Sequence, residues 1–410
     1  MLKPGGESLP SETIHMGASA TTTRVVGHPF AAIGMGEHVR SLWRSLNEVG
    51  VNCAMVDIHG PNGKVDPVLE NEFDGRLVSE LGTGINIFCI NGDEIAPVLK
   101  KLAARNAMAK GSYNIIYPAW ELPHYPDTWA KQIMRFDEAW GESLFVTNLL
   151  AEAVNVPVVH MPLATETRRR GLYSRKHFGI RESAYTFLFA FDFLSYVERK
   201  NPMAVVAAFS KLLEKRPYAD VQLVIKINNS DKKNDQKKAF EKALEPIRKH
   251  ICVVDRTLSD LEMKALIWQC DSFVSLHRSE GYGFAIAEAM SMGKPVICTS
   301  YSGNMDFCSE ETNLLVPFRM KALSEGDYPY WEEQSWAAAD VKVASRQMLN
   351  LVDRPQTGRE MGAKARRHML VNFSHLARGL HYEQRLREIE SLARRGRGKP
   401  HKASSAVLEA

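Results

Sequence analysis

No apolar run in this 410-residue chain reaches the roughly 18 residues that a membrane-spanning helix requires. Cysteine is scarce and dispersed. The six residues, at 53, 89, 252, 270, 298 and 308, form no Cys-x-x-Cys pair, and most sit in apolar, strand-like runs, as buried thiols of a reducing compartment do. There is no Asp-x-Asp, no His-Glu-x-x-His and no Cys/His ligand cluster, so no metal is expected. The polar stretch Met1–Thr22 lacks the apolar segment of a signal peptide and reads as a loose leader, which makes the cytoplasm the expected location.

Charge of one sign is also lacking. The net charge of +4 does not by itself indicate nucleic acid, and none is expected as a partner. Basic residues crowd only the C-terminal end, at Arg385, Arg387, Arg394, Arg395, Arg397, Lys399 and Lys402. A solvated tail over 394–410 is the simpler expectation, and contact with an anionic membrane the alternative. With 45% hydrophobic and 24% charged residues, the composition is that of a globular protein, and the length suits two domains.

Strand-like and helix-like segments alternate from Arg24 to Pro317, the pattern of doubly wound α/β layers. Strands are expected at Thr23–Gly27, Val51–Asp57, Ile85–Ile90, Tyr113–Tyr117 and Val156–His160, with helices at Gly36–Val49 and Glu94–Met108. The same logic restarts at Tyr185–Phe191, with a helix at Pro202–Lys215 opened by a first-turn proline and further strands at Val221–Ile227, Ile251–Val254 and Asp271–Leu276. Ser259-Asp-Leu-Glu262 has capping-box spacing. The polar stretch Thr165–Ser183, with Arg168-Arg-Arg170, reads as the connector, so the expected domains are 23–170 and 171–372.

Between Glu280 and Glu288 the chain reads Glu-Gly-Tyr-Gly-Phe-Ala-Ile-Ala-Glu: two carboxylates with a strand exit before them and a helix from about Phe284 between. Gly281 and Gly283 allow a tight turn at a helix start, where free N–H groups attract phosphate. A capping device would account for the Glu pair alone. The whole run from Leu276 through Gly293-Lys-Pro-Val296 to Asn304, however, closely resembles the donor-site signature of retaining GT-B glycosyltransferases, glycosyltransferase family 4.

The resemblance implies two Rossmann-like domains facing a cleft, with a last helix, about 373–393, crossing back to the N-terminal domain. It also implies roles. Glu288 would bind ribose hydroxyls and Glu280 a donor-sugar hydroxyl, while backbone amides around Gly281, Tyr282, Gly283 and Phe284 hold sugar and phosphate oxygens. Arg199 and Lys200 would neutralise the departing diphosphate in place of a metal. One departure is visible: many members carry Gly-Arg where this chain has Phe191-Asp192, so Arg199 takes over that share or Lys226 serves in reserve. The base would lie near Asp255-Arg256-Thr257-Leu258. In the first domain, Gly34, Gly36 and Glu37, with His38, resemble the loop that approaches the diphosphate and acceptor; a plain tight turn is the other reading. Trp120 and Glu121 fall nearest the position of a family histidine, and His124 lies just beyond. Trp120 and Trp129 are candidates for an acceptor wall or for core packing.

The expected activity is retaining, metal-independent transfer of a hexose-like sugar from a nucleoside-diphosphate sugar, GDP-mannose or a UDP-hexose, to a saccharide or lipid-linked saccharide in surface polysaccharide or lipopolysaccharide assembly. The nucleotide sugar is a co-substrate and no cofactor is expected. Front-face attack, in which the leaving phosphate helps remove the acceptor proton, is what the resemblance implies. The other readings are a nucleotide-sugar 2-epimerase on the same fold and a non-catalytic member of an assembly complex. If the acceptor is lipid-linked, the basic end would hold the protein at the inner face of the plasma membrane.

Overall fold

A computed structural model describes residues 23–58, 66–167 and 171–394. The leader, Arg168–Arg170 and the tail beyond Arg394 lie outside the described residues.

Two six-stranded parallel sheets organise the chain. The first contains β1 (Thr23–Gly27), β2 (Cys53–Asp57), β3 (Ile85–Phe88), β4 (Tyr113–Ile116), β5 (Glu138–Gly141) and β6 (Val158–His160), in the order β2-β1-β3-β4-β5-β6. The second contains β7 (Tyr185–Asp192), β8 (Val221–Asn228), β9 (Ile251–Asp255), β10 (Ser272–Ser275), β11 (Val296–Thr299) and β12 (Leu314–Val316), in the order β12-β11-β10-β7-β8-β9. Helices cover both faces, so central strands are buried on both sides, and runs such as Phe187-Leu-Phe189 and Leu223-Val-Ile225 are nearly continuous hydrophobic. Strand order reverses between β1 and β3 in one sheet and between β7 and β10 in the other. Ligands bind outside the carboxyl ends of strands at such points.

Local signals hold where they carry a mechanism. Pro202 opens its helix at the first turn, and Ser259 and Glu262 form a complete capping box. The first helix begins at Gly34, two residues before the expected Gly36, and runs to Glu48. Three features were not among the expected strands: β5, four residues with Glu138 and Gly141 in it, the short β12, and an antiparallel hairpin of β13 (Phe318–Ala322) and β14 (Ser335–Ala339). All six cysteines are free thiols, five of them buried. Among the described residues no helix is long and apolar enough to cross a membrane.

The last helix, His375–Arg394, returns to the first sheet. Tyr382 stacks on Trp140 at 5.8 Å and donates to the Pro162 carbonyl (2.9 Å), and Tyr117 bonds to the Met161 carbonyl beside it. Glu138 on β5, with a side chain 0% exposed, accepts from Arg385 Nη2 (2.6 Å) and Nε (3.1 Å), Trp140 Nε1 (2.7 Å) and the Tyr113 hydroxyl (3.1 Å). Arg385, Arg387 and Arg394 are therefore helical and ion-paired, the latter two to Glu383 and Glu390, and do not belong to a tail.

Removing Arg385 would leave the Glu138 carboxylate buried without its cation. Arg385→Ala is expected to destabilise the protein by about 3 kcal/mol, and Glu138→Gln in the same chain to restore part of that. Urea unfolding followed by tryptophan fluorescence checks this; equal loss in single and double variants would contradict it.

Candidate functional site

The loops at the carboxyl ends of both sheets enclose a cavity of about 550 Å³. From the first domain come Ile33–Met35, Asn91, Asp93, Ala119–Glu121 and Glu142; from the second, Asp192, Leu194–Tyr196, Arg199, Lys200 and Glu280–Ile286. Both switch points therefore open on one space.

Glu280 stands at its centre. Lys200 Nζ lies 2.6 and 2.9 Å from its two oxygens, and Arg199 Nη1 lies 3.0 Å from one. Burial would raise the Glu280 carboxyl, but Lys200 and Arg199 outweigh it and hold the group at about 2. Arg199 also donates to the Ser279 carbonyl (3.1 Å) and approaches Glu121 at 3.4 Å. Burial opposes its charge, yet Glu121 and Glu280 raise its pKa above the usual guanidinium value. For Lys200, burial outweighs the pull of Glu280 and lowers the pKa. The Glu280 backbone is fixed too: its N–H donates to Ser302 Oγ (2.8 Å) and its carbonyl accepts from Gly303 N (2.9 Å).

Gly283, at φ +98°, turns the chain into the helix Phe284–Ser291, whose first residues Phe284 and Ala285 line the cavity. The N–H groups of such a first turn have no intrahelical partner and carry the positive end of the helix dipole. On the other domain, Ser143 caps the helix Leu144–Ala153 and donates to the Gly281 carbonyl (2.6 Å), while the Tyr282 hydroxyl donates to the Leu163 carbonyl (2.8 Å).

Glu142 was not singled out in the sequence. Its side chain abuts Gly281, where a Cβ would collide with the carboxylate, and it sits 3.4 Å from His38 Nδ1 without a hydrogen bond. Burial, then Glu121 and Glu280, raise its pKa well above the carboxylate range. Burial lowers His38 to about 3. Burial thus favours the neutral form of both members of the pair. Only tertiary context reveals this; in sequence Glu142 is one glutamate at the end of a short strand.

Of the residues expected in the site, Glu280, Gly281, Tyr282, Gly283, Phe284, Arg199, Lys200, Gly34, Trp120 and Glu121 line the cavity. Others do not. Gly36 lies inside the helix, close to the Ala31 carbonyl. Glu37 is paired to Arg40 (2.8 Å) and Arg44 (3.2 Å) and held at about 2, because Arg40, Arg44 and Lys264 overcome burial. Glu288 lies off the cavity wall, in the field of Lys264, Glu37, Asp260 and Arg40. Burial, opposed by Lys264 and supported by Glu37, raises it to about 7.

Three placements correct the expectation. His124 is exposed, and its peptide group, not its ring, is engaged: the N–H and carbonyl bond the Gln334 side chain (3.1 and 2.7 Å). Lys226 turns back on its own strand end, donating to the Ile227 carbonyl (2.7 Å) and Asn228 (2.5 Å). Arg256 pairs with Glu262 (2.8 Å) and His177 (2.9 Å) toward the connector, with Thr257 exposed beside it. Asp192 is explained as well: it accepts from Leu194 N (2.8 Å) and Asn229 Nδ2 (2.8 Å), closing the turn after β7.

Residues 185–326 match the family model for glycosyl transferases group 1. Trehalose synthase of Pyrococcus horikoshii is 27% identical over 181 residues, 42% of this chain but only 37% of that protein's length. Sucrose-phosphate synthase of Thermosynechococcus elongatus superposes with a TM-score of 0.65 at 15% identity, covering 90% of this chain and 99% of that one. HepE of Anabaena, solved with UDP and glucose, superposes at 0.65 with 9% identity, covering 90% and 100%. The chain thus shares the two-sheet fold of these neighbours, and residues 185–326 are similar to the group 1 glycosyl transferase domain.

The two buried glutamates should respond oppositely to loss of charge. Glu280→Gln removes the charge that the buried Arg199 and the half-buried Lys200 share and is expected to cost about 3 kcal/mol. Glu142→Gln replaces a carboxyl that burial, Glu121 and Glu280 all push toward its neutral form, and should leave the pH 7 melting midpoint unchanged or higher. Differential scanning calorimetry of both variants decides; a Glu142→Gln loss as large as that of Glu280→Gln would mean Glu142 is ionised.

Proposed function

We propose that this protein is a retaining, metal-independent hexosyltransferase taking its sugar from a nucleoside diphosphate, with a UDP-hexose the first donor to test and GDP-mannose the second. One observation carries the reading: Arg199 and Lys200 converge, beside a helix N-terminus, on the cavity where both switch points meet. The uridine preference draws on the HepE complex with UDP and glucose.

In this reading the diphosphate lies against Phe284 and Ala285, with Lys200 and Arg199 balancing the charge that grows as the anomeric bond breaks. Their charge stands where a metal would otherwise be needed. Glu280 is the nearest ionised carboxylate to the sugar and accepts a hydroxyl once the phosphate draws Lys200 away. The acceptor enters past Trp120 and Glu121, and the leaving phosphate oxygen takes its proton. Positioning and fixed charge provide the acceleration, without a protein nucleophile.

The finer setting, a saccharide or lipid-linked acceptor in surface polysaccharide or lipopolysaccharide assembly at the cytoplasmic face of a membrane, extends the same proposal. The ion pairs of Arg385 and Arg387 reduce the basic charge available to anionic lipid.

A melting panel against UDP, GDP, dTDP and ADP and their sugar conjugates tests the donor site. A ligand at 100 times its Kd stabilises by about 2.7 kcal/mol. One base family should shift the midpoint and lose most of the shift in Glu288→Ala; no shift with any nucleotide would overturn the proposal.

Glu288 gives a pH signature. Its carboxyl is raised from 4.5 to about 7 in the folded state, so between these values the unfolded chain has released a proton that the native chain keeps. Stability contributed by the protonated form is complete below pH 4.5 and is lost as pH rises through 7. Ribose hydroxyls need the ionised acceptor, so UDP-glucose affinity should rise over the same interval. Titration calorimetry at several pH values should show that rise in the wild type and a flat profile in Glu288→Gln; equal slopes would remove Glu288 from the ribose site.

A further inference from the structure

The hairpin β13–β14 belongs by sequence to the second domain but packs against the first. Its connecting loop, 323–334, carries Tyr328, Tyr330 and Trp331. Leu323, Tyr328 and Trp336 join the core cluster of Trp120, Leu122 and Tyr125. Gln334 bonds both polar atoms of the His124 peptide unit, the Tyr328 hydroxyl donates to Glu121 (2.6 Å), and Tyr330 meets Thr128 at 3.3 Å. The hairpin therefore straps the two domains together at one end of the cleft.

The aromatic rings gathered where this strap meets the cleft exceed what the core needs. Trp120 and Tyr328 are buried, with centroids 5.6 Å apart, and packing accounts for them. Tyr196 and Tyr330 are different: they are 43% and 42% exposed, Tyr196 lines the cavity against Tyr328 at 4.4 Å, and Tyr330 lies against Trp129 at 5.2 Å. Both are held at positive φ, +58° and +53°, a left-handed conformation that glycine adopts without cost. Strain of this kind persists where the surroundings impose it and gathers at ligand clamps. Ile33 and Leu194 add exposed apolar surface at the same rim.

Polar groups share the cavity with Tyr196 and Trp129: Asn91, Asp93, Glu121 and Ser195 line it too, and Tyr330 adjoins it through Trp129. An alkyl chain gains nothing from carboxylates, whereas a pyranose presents apolar C–H faces to aromatic rings and hydroxyl edges to carboxylates and amides. We propose that Tyr196, Tyr330 and Trp129, with Asp93 and Glu121, form an acceptor subsite that receives a pyranose ring of an oligosaccharide, and that the β13–β14 strap exists to complete it. The proposal rests on the glycosyltransferase reading, because the subsite adjoins the donor cavity.

Glycine substitution separates binding from folding. In Tyr196→Gly and Tyr330→Gly the ring disappears while the left-handed backbone becomes favourable, so the melting midpoint should hold. The full-length protein and both variants would be applied, with and without UDP, to a glycan array of mono- to tetrasaccharides and to anionic phospholipid vesicles. The wild type is expected to be retained on pyranose-terminated glycans and not on vesicles, and each variant to bind those glycans about 3- to 10-fold more weakly, with larger loss in the double variant. Absence of glycan retention by the wild type, equal retention by the variants, or variant-sensitive retention on vesicles would each overturn the subsite. The nucleotide melting shift, read on the same samples, keeps the two readings apart: glycan binding without any nucleotide shift would sink the donor site alone, and a nucleotide shift without glycan binding the acceptor subsite alone.

Discussion

A buried carboxylate between a buried arginine and a half-buried lysine is the constraint around which the cleft is built. Glu280 stays ionised against burial only because Lys200 and Arg199 touch it, and Arg199 in turn needs Glu121. Fixed charges at this depth must nearly cancel, since an uncompensated one costs several kcal/mol. Two cations face Glu280 and Glu121, while burial and these two acids push Glu142, the third acid in the group, toward its neutral form. A diphosphate entering this arrangement would find its counter-charge already oriented, with Glu280 as the group it displaces. In the proposed reading the cations are held ready by this internal ion pair, which a diphosphate would exchange for its own contacts.

The scaffold that imposes this geometry is a pair of sheets stitched at their carboxyl ends. Ser143 on the first domain holds the Gly281 carbonyl, Tyr282 on the second holds that of Leu163, and Asp306 bonds Leu144 N (3.0 Å) and His160 (2.7 Å). These bonds fix the glycine turn before the helix Phe284–Ser291 against the first domain. Farther out, the last helix clasps β5 through Arg385 and Glu138, and the β13–β14 strap closes the opposite side. The cavity is thus a property of the interface and neither sheet alone encloses it.

Much of this was legible wherever local chemistry has a fixed address. The alternation of strands and helices, the proline-opened helix at Pro202, the capping box at Ser259 and the turn at Gly281–Gly283 each depend on near neighbours in the chain. What escaped depends on distant ones. β5 is too short to show a period and exposes Glu138 to view as a polar residue, although Trp140 on the same strand and the distant Tyr113 and Arg385 satisfy it. The β13–β14 hairpin has no two-residue turn signal, because its connection runs from 323 to 334. His124 looked like a ring in search of a site, yet its peptide group is what Gln334 reads. Asp192, which looked like a missing phosphate cation, is a turn cap whose acceptor atoms a basic side chain does not have.

Backbone strain marks the same region as the buried charge. Ser302 sits at φ +71° and ψ −150°, a conformation that suits glycine, and Tyr196 begins the turn that delivers Arg199 and Lys200. At Ser302 glycine would relieve the main chain but remove the hydroxyl that accepts the Glu280 amide and donates to the Tyr301 carbonyl (2.6 Å). The hydroxyl fixes the peptide from which the Glu280 side chain springs, and so the distance at which that carboxylate meets both cations. Strained backbone, satisfied amide and compensated charge are three links of one chain. The well-packed sheets supply the stability that lets such a loop persist, which is why departures from local preference cluster at the cleft while the strands behind it follow ordinary rules.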